Sequence, residues 1–120
     1  MTRMRLHMIV AGGRDFDDEA MLGRVLDHHV DPEADVILHG ACPTGADALA
    51  DKWARRNFAE VRRFPADWDR YGRRAGPIRN QEMAREGSIL IAFWDGKSRG
   101  TKGMIDLALC RGLEVHVYRY

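Results

Sequence analysis

Four short stretches set glycine beside arginine, aspartate or a hydroxyl, the residue types that hold anions through peptide amides and a cationic fork. In Gly12-Gly13-Arg14-Asp15-Phe16 the missing β-carbons let backbone N–H groups approach a ligand. Arg14 adds a planar guanidinium suited to phosphate or carboxylate. A tight turn with a surface Arg14–Asp15 or Arg14–Asp17 pair accounts for the same residues. In residues 40–47, GACPTGAD, Thr44 is placed as an N-cap with Asp47 at the third helical position. Gly45 opens that helix, where free amides and the dipole favour an anion. Asp47 repels a phosphate, so against a ligand it would accept from a ribose hydroxyl.

Residues 98–103, SRGTKG, repeat this logic at a helix begun by Thr101. Ser98, Gly100 and Thr101 can offer amides and hydroxyls to one phosphate, unless Thr101 simply caps its helix. In RRAGPIRN, residues 73–80, Pro77 suits a first helical turn and puts Arg79 and Asn80 in that turn. An arginine there opposes the helix dipole, and a broken local rule points to a site. A salt bridge to Asp67 or Asp69 is the plainer account. Trp68 and Tyr71 can close over a flat base, or serve as edge filler.

Other chemistries lack their patterns. Neither G-x-G-x-x-G nor a Walker loop is present, and Ser88 and Ser98 sit in no nucleophile elbow. Cys42 and Cys110 form no C-x-x-C pair, and His28–His29 lack partners at metal-ligand spacing, so no metal is expected.

These loops need a scaffold that brings them together. Residues 6–11, 35–40 and 88–94 are apolar nearly throughout, as in strands buried on both faces. Residues 60–66 and 113–120 alternate, as in edge strands. Between them, residues 18–30, 45–58, 77–87 and 101–113 repeat apolar positions at three and four, which is one helical face. Strand and helix thus alternate, giving a parallel five-stranded sheet with helices on both faces and strand order 3-2-1-4-5. Ligands in such α/β folds bind beyond the carboxyl ends of the strands, where the winding reverses. Residues 65–76 are expected to form a long loop.

A chain of 120 residues is expected to form a single domain over residues 1–120. With 45% hydrophobic and 31% charged residues and a formal net charge of +1, it reads as soluble and globular. No basic excess marks it as a nucleic-acid coat. The N-terminal basic and apolar stretch breaks too early on glycine and charge for a signal peptide, and no run reaches a membrane span. A cytoplasmic location is expected.

The segments VAGGRDF, HGACPTGADALADKWA, FPADWDRYGRRAGPIRNQEMA and AFWDGKSRGTKGMIDLA, in this order, resemble the YspA-like, YpsA-related branch of the SLOG family. These are small Rossmann-like proteins often encoded by bacteria and phages. The family is similar to LOG (lysine-decarboxylase-like) phosphoribohydrolases and to the Rossmann domain of DprA. The resemblance implies a Rossmann-like three-layer sandwich and a nucleotide or nucleotide-derived ligand such as ADP-ribose, NAD or a nucleoside phosphate. In the LOG arginine-lysine-x-x-methionine motif, Arg79 and Met83 correspond and Asn80 replaces lysine. In the LOG glycine-threonine motif, Gly100 and Thr101 correspond, but Met104 stands where the LOG enzymes carry a glutamate expected to act in N-glycosidic cleavage. A thioether cannot replace a carboxylate as acid or base.

The expected site therefore comprises Gly12, Gly13, Arg14, Gly45, Asp47, Arg79, Asn80, Ser98, Gly100 and Thr101, binding a nucleotide, with a sensor as one role for such a module. The alternative is a nucleotide N-glycosidic hydrolase using Arg79 with Asp47, Asp95 or Asp106. A nucleic-acid module in the manner of DprA, built on Arg70, Arg73, Arg74 and Lys97, ranks behind both. Helix positions such as Trp53, read as exposed and apolar, make a homodimer plausible.

Overall fold

The computed structural model describes residues 4–120; residues 1–3, where the N-terminal basic stretch begins, lie outside it. Five parallel strands, β1 (His7–Gly12), β2 (Val36–His39), β3 (Glu60–Arg63), β4 (Ile89–Trp94) and β5 (Glu114–Arg119), form one sheet in the order β3-β2-β1-β4-β5. This is the strand order and Rossmann-like α/β architecture expected from the sequence.

The central strands lack alternation because both of their faces are buried. Met8 and Val10 of β1, with Ile37, Ile91 and Phe93, pack against Leu22, Leu26, Ala50 and Trp53. These come from α1 (Glu19–His29) and α2 (Gly45–Arg56). Ile9, Val36, Leu38, Leu90 and Ala92 point the other way, onto Met83, Met104 and Ala108 of α4 (Ala75–Glu86) and α5 (Arg99–Cys110). Successive residues of one strand thus feed opposite cores, the two-residue period of a pleated strand. The chain winds outward from β1 to β3, then reverses to β4 and β5. β1 and β4 stay paired up to Gly12 and Phe93, and beyond their carboxyl ends the connections leave for opposite faces of the sheet, which opens a crevice there.

Three local expectations are corrected. Residues 65–76 are mostly helical: α3 (Trp68–Tyr71) is capped by the Asp67 side chain on the Arg70 amide, and a 3-10 turn, Gly72–Arg74, runs into α4. Because α4 starts at Ala75, Arg79 and Asn80 lie in its second turn, and the dipole argument for Arg79 falls away. Trp53 is buried and donates its Nε1–H to Asp27 at 3.0 Å, so it gives no apolar patch for a dimer.

No helix of the described residues is long and apolar enough to cross a membrane. Both cysteines are free thiols.

Candidate functional site

At the carboxyl end of the sheet a cleft of about 800 Å³ opens between the loops after β1 and β2 and the starts of α4 and α5. Gly12, Gly13 and Arg14 line it from the end of β1 and the loop beyond, and Ser98, Gly100 and Thr101 line it from the start of α5 and its N-cap. Asp47 of α2, Arg79 and Asn80 of α4, and the half-exposed Trp68 line it as well. Nine of the ten expected ligand residues thus share one hollow, the exception being Gly45.

Each glycine has its own reason. A Cβ on Gly12 would lie 2.6 Å from the Ala46 Cβ and 2.9 Å from the Phe93 carbonyl, so β1 and α2 meet there only through glycine. Gly45 has φ +75, and a Cβ would meet the Gly13 carbonyl and Arg14 backbone. The same Gly13 carbonyl accepts from the Ala46 amide at 3.3 Å. The N-terminus of α2 is therefore filled by the loop after β1, and Gly45 packs where the sequence suggested a ligand amide. Gly100 differs, since a Cβ there would meet nothing within 4 Å.

The N-terminus of α5 is organised from within. Asp95 accepts from the Lys97 and Ser98 amides, both at 2.8 Å, which hold its carboxyl below the usual range. Ser98 is the N-cap and accepts from the Thr101 amide at 3.4 Å. The capping residue is thus Ser98, not Thr101, which sits one turn in, buried, with its hydroxyl 3.2 Å from the Ser98 Oγ. The amides of Arg99 and Gly100, ahead of the first intrahelical bond, are left for solvent or a ligand.

Arg79 ties loops together. Its Nη1 donates to the Gly40 carbonyl and, at 3.5 Å, to the Phe64 carbonyl; its Nε donates to the Asn80 Oδ1 at 2.9 Å. It makes no salt bridge to Asp67 or Asp69 among the described residues. Its neighbour is Asp47, whose Oδ2 accepts from the Cys42 amide at 3.2 Å. Burial raises the Asp47 carboxyl pKa, against the Cys42 amide, His39 and Arg79, which favour the ionised form. Burial lowers the Arg79 pKa, and the Asp47 charge opposes that shift. Asp47 is thus spent on the loop after β2. No capping bond is made by the Thr44 side chain.

Arg14 lies exposed with its guanidinium 6.0 Å from the centre of the Trp68 ring, a cation–π distance. Trp68 is 50% exposed. Tyr71 faces Arg70 instead and does not line the cleft. Asp95 and Asp106 do not line it either, and Asp106 pairs with Lys102 at 3.0 Å on the outer face of α5. Met104 does line it, buried beside Met83.

A glycine-lined hollow at the reversal of a five-stranded parallel sheet fits what the comparisons show. Residues 6–71 match the YspA, cpYpsA-related SLOG family. The chain belongs to that family. The gene 61 protein of Mycobacterium phage D29 is 34% identical over 118 residues, covering 90% of this chain and 92% of the phage protein. No solved structure matches the chain. SLOG proteins are nucleotide-related Rossmann-like modules. The matched span carries Gly12 to Asp15, the loop after β2 and Trp68, while Arg79 and the α5 N-terminus are supplied by the chain beyond it.

Sequence reasoning passed over Asp15, Gly40, Ala41 and Cys42, all of which line the cleft. Ala41 has φ 60, a left-handed conformation that costs a non-glycine residue about 1–3 kcal/mol. Only the turn-forming Gly40 beside it hinted at this.

Proposed function

We propose that the cleft binds a nucleotide or nucleotide-derived ligand of the ADP-ribose, NAD or nucleoside phosphate class. The observation that carries this reading is the joint opening of the α5 N-terminus, Arg14 and the half-exposed Trp68 onto one hollow. A phosphate would take the Arg99 and Gly100 amides and the Ser98 hydroxyl, where the helix dipole favours negative charge. The Arg79 Nη2, which has no hydrogen-bond partner among the described residues, would add a charge-assisted bond. A base would stack on Trp68, with Arg14 over the same ring. Asn80 would use its amide N–H groups on a sugar, since its Oδ1 is taken by Arg79.

Hydrolysis of an N-glycosidic bond is the second reading, favoured by one observation. Among the carboxylates proposed for it, Asp47 lines the cleft beside Arg79, and burial raises its pKa from the ordinary carboxylate value, the direction a proton carrier needs.

Gly100 supplies the test. Ala fits its empty surroundings and improves helix propensity by up to about 1 kcal/mol, yet a methyl there would stand where a phosphate approaches. Gly103 is equally open and lies outside the cleft. Calorimetric titration with ADP-ribose, NAD, AMP and ADP is expected to find a ligand for the native protein. Gly100→Ala should lose at least tenfold in affinity while melting no lower, and Gly103→Ala should bind normally. Equal binding by both variants would refute the proposed phosphate position. Release of free base, followed by mass spectrometry and abolished by Asp47→Asn, would favour the hydrolase.

A further inference from the structure

His39 ends β2 and is 2% exposed, yet it lies outside the cleft and the ligand contacts proposed above do not involve it. Its Nδ1 accepts from the Ala41 amide at 2.9 Å. The ring proton must therefore sit on Nε2, which donates to the Asp51 Oδ1 at 2.7 Å. Asp51 is itself fixed by Arg63, from both Nε at 2.8 Å and Nη2 at 3.2 Å, and by the Arg55 Nε at 3.0 Å. A chain of hydrogen bonds thus runs from the outer edge of the sheet to a single backbone amide.

That amide belongs to the strained residue of the loop. With Ala41 held left-handed, Gly40 turns its carbonyl to Arg79, and the Cys42 amide turns to Asp47. The Ala41 amide lies between them, part-buried, and such an amide left without an acceptor is costly. The imidazole Nδ1 is what satisfies it. A ring protonated on Nδ1 would present a donor to a donor.

We infer that His39 is a positioning residue: its Nε2-protonated tautomer, set by Asp51, locks the strained Ala41 turn that orients Arg79 and Asp47 in the cleft. Its importance for binding rests on the nucleotide reading, but the lock itself does not.

Two near-isosteric variants separate the two halves of the imidazole. In His39→Asn the side-chain oxygen sits near the Nδ1 position and can still accept from Ala41. In His39→Gln the amide N–H reaches the Nε2 position and keeps Asp51 but not Ala41. Amide hydrogen exchange at Ala41, read by NMR, is expected to stay slow in native protein and His39→Asn and to quicken at least tenfold in His39→Gln at matched global stability. Equal exchange in the two variants, or faster exchange in His39→Asn, overturns the inference. The native protein gives an independent check, since the ¹⁵N spectrum of the His39 ring must show the Nε2–H tautomer; an Nδ1–H tautomer overturns it. Should the His39 variants not fold, Asp51→Ala leaves the ring in place and removes what fixes its proton, so unchanged Ala41 exchange there also overturns it. ADP-ribose affinity should fall at least tenfold in His39→Gln and less than threefold in His39→Asn. If native protein binds none of the nucleotides, the nucleotide reading fails while the exchange and tautomer results still judge the lock.

Discussion

Asp47 is the residue whose charge opposes the ligand proposed for the cleft. Its carboxylate accepts from the Cys42 amide, and burial raises its pKa, so ionised Asp47 weakens the fold and weakens any phosphate held nearby. Asp47→Asn keeps an acceptor for Cys42 and removes the charge. Removing a unit of like charge several ångströms from a phosphate, in a partly screened site, is worth about 1 kcal/mol, so the variant should bind the phosphate ligand roughly fivefold tighter in a calorimetric titration. A loss of affinity would instead assign Asp47 to the ribose. The sign of the pH effect follows from the raised pKa: the stability advantage of Asp47→Asn should be present where Asp47 is ionised and vanish as acid protonates it. Asp47 and Arg79 were legible in the sequence as polar residues in glycine-rich loops. Gly45 was misread because a sequence does not disclose that the carbonyl of Gly13, far along the chain, fills the helix end it opens.

The strands and four long helices were legible because burial imposes periodicity on sequence. β4 is apolar on both faces since helices cover both, and α2 repeats its apolar positions because a single face packs. α3 and the 3-10 turn escaped notice because four and three residues are too few to establish a period, and the buried Trp53 shows that a helical pattern does not reveal what covers it. Phe58, between α2 and β3, is the element-level feature with no counterpart in pattern. It has φ 55 and is 93% exposed, so its ring gains nothing from packing while its backbone bears left-handed strain of about 1–2 kcal/mol. Phe58→Gly removes that strain at some cost in unfolded-state entropy. A net gain of about 1 kcal/mol should raise the melting temperature by about 4 °C. A fall in melting temperature would mean that the exposed ring makes a stabilising contact.

At the scale of the molecule, the sheet reversal fixes where the cleft opens, and the charge balance bears on which of the proposed ligands it would hold. Formal net charge is +1, and within the cleft Arg14 and Arg79 are opposed by Asp15 and Asp47. Asp15 also accepts from the Tyr120 hydroxyl at 2.9 Å. Such a balance suits the proposed ligand of one or two phosphates, held by amides and by the guanidinium groups of Arg14 and Arg79, and gives little long-range attraction to a polyanion. Of the residues proposed for nucleic acid, Arg70, Arg73 and Arg74 lie on α3 and the 3-10 turn and Lys97 precedes α5, all outside the cleft lining. Salt separates the two kinds of partner. Binding that displaces many counterions weakens by about 10³ or more between 50 and 200 mM salt, whereas one or two phosphates release few. ADP-ribose affinity should therefore change by less than about tenfold across that range, and a single-stranded oligonucleotide should compete for the cleft only weakly at 200 mM. An oligonucleotide that binds at least as tightly as the nucleotide at 200 mM salt, with the steep salt dependence of many displaced counterions, would move the binding surface from the cleft to the arginines beside it.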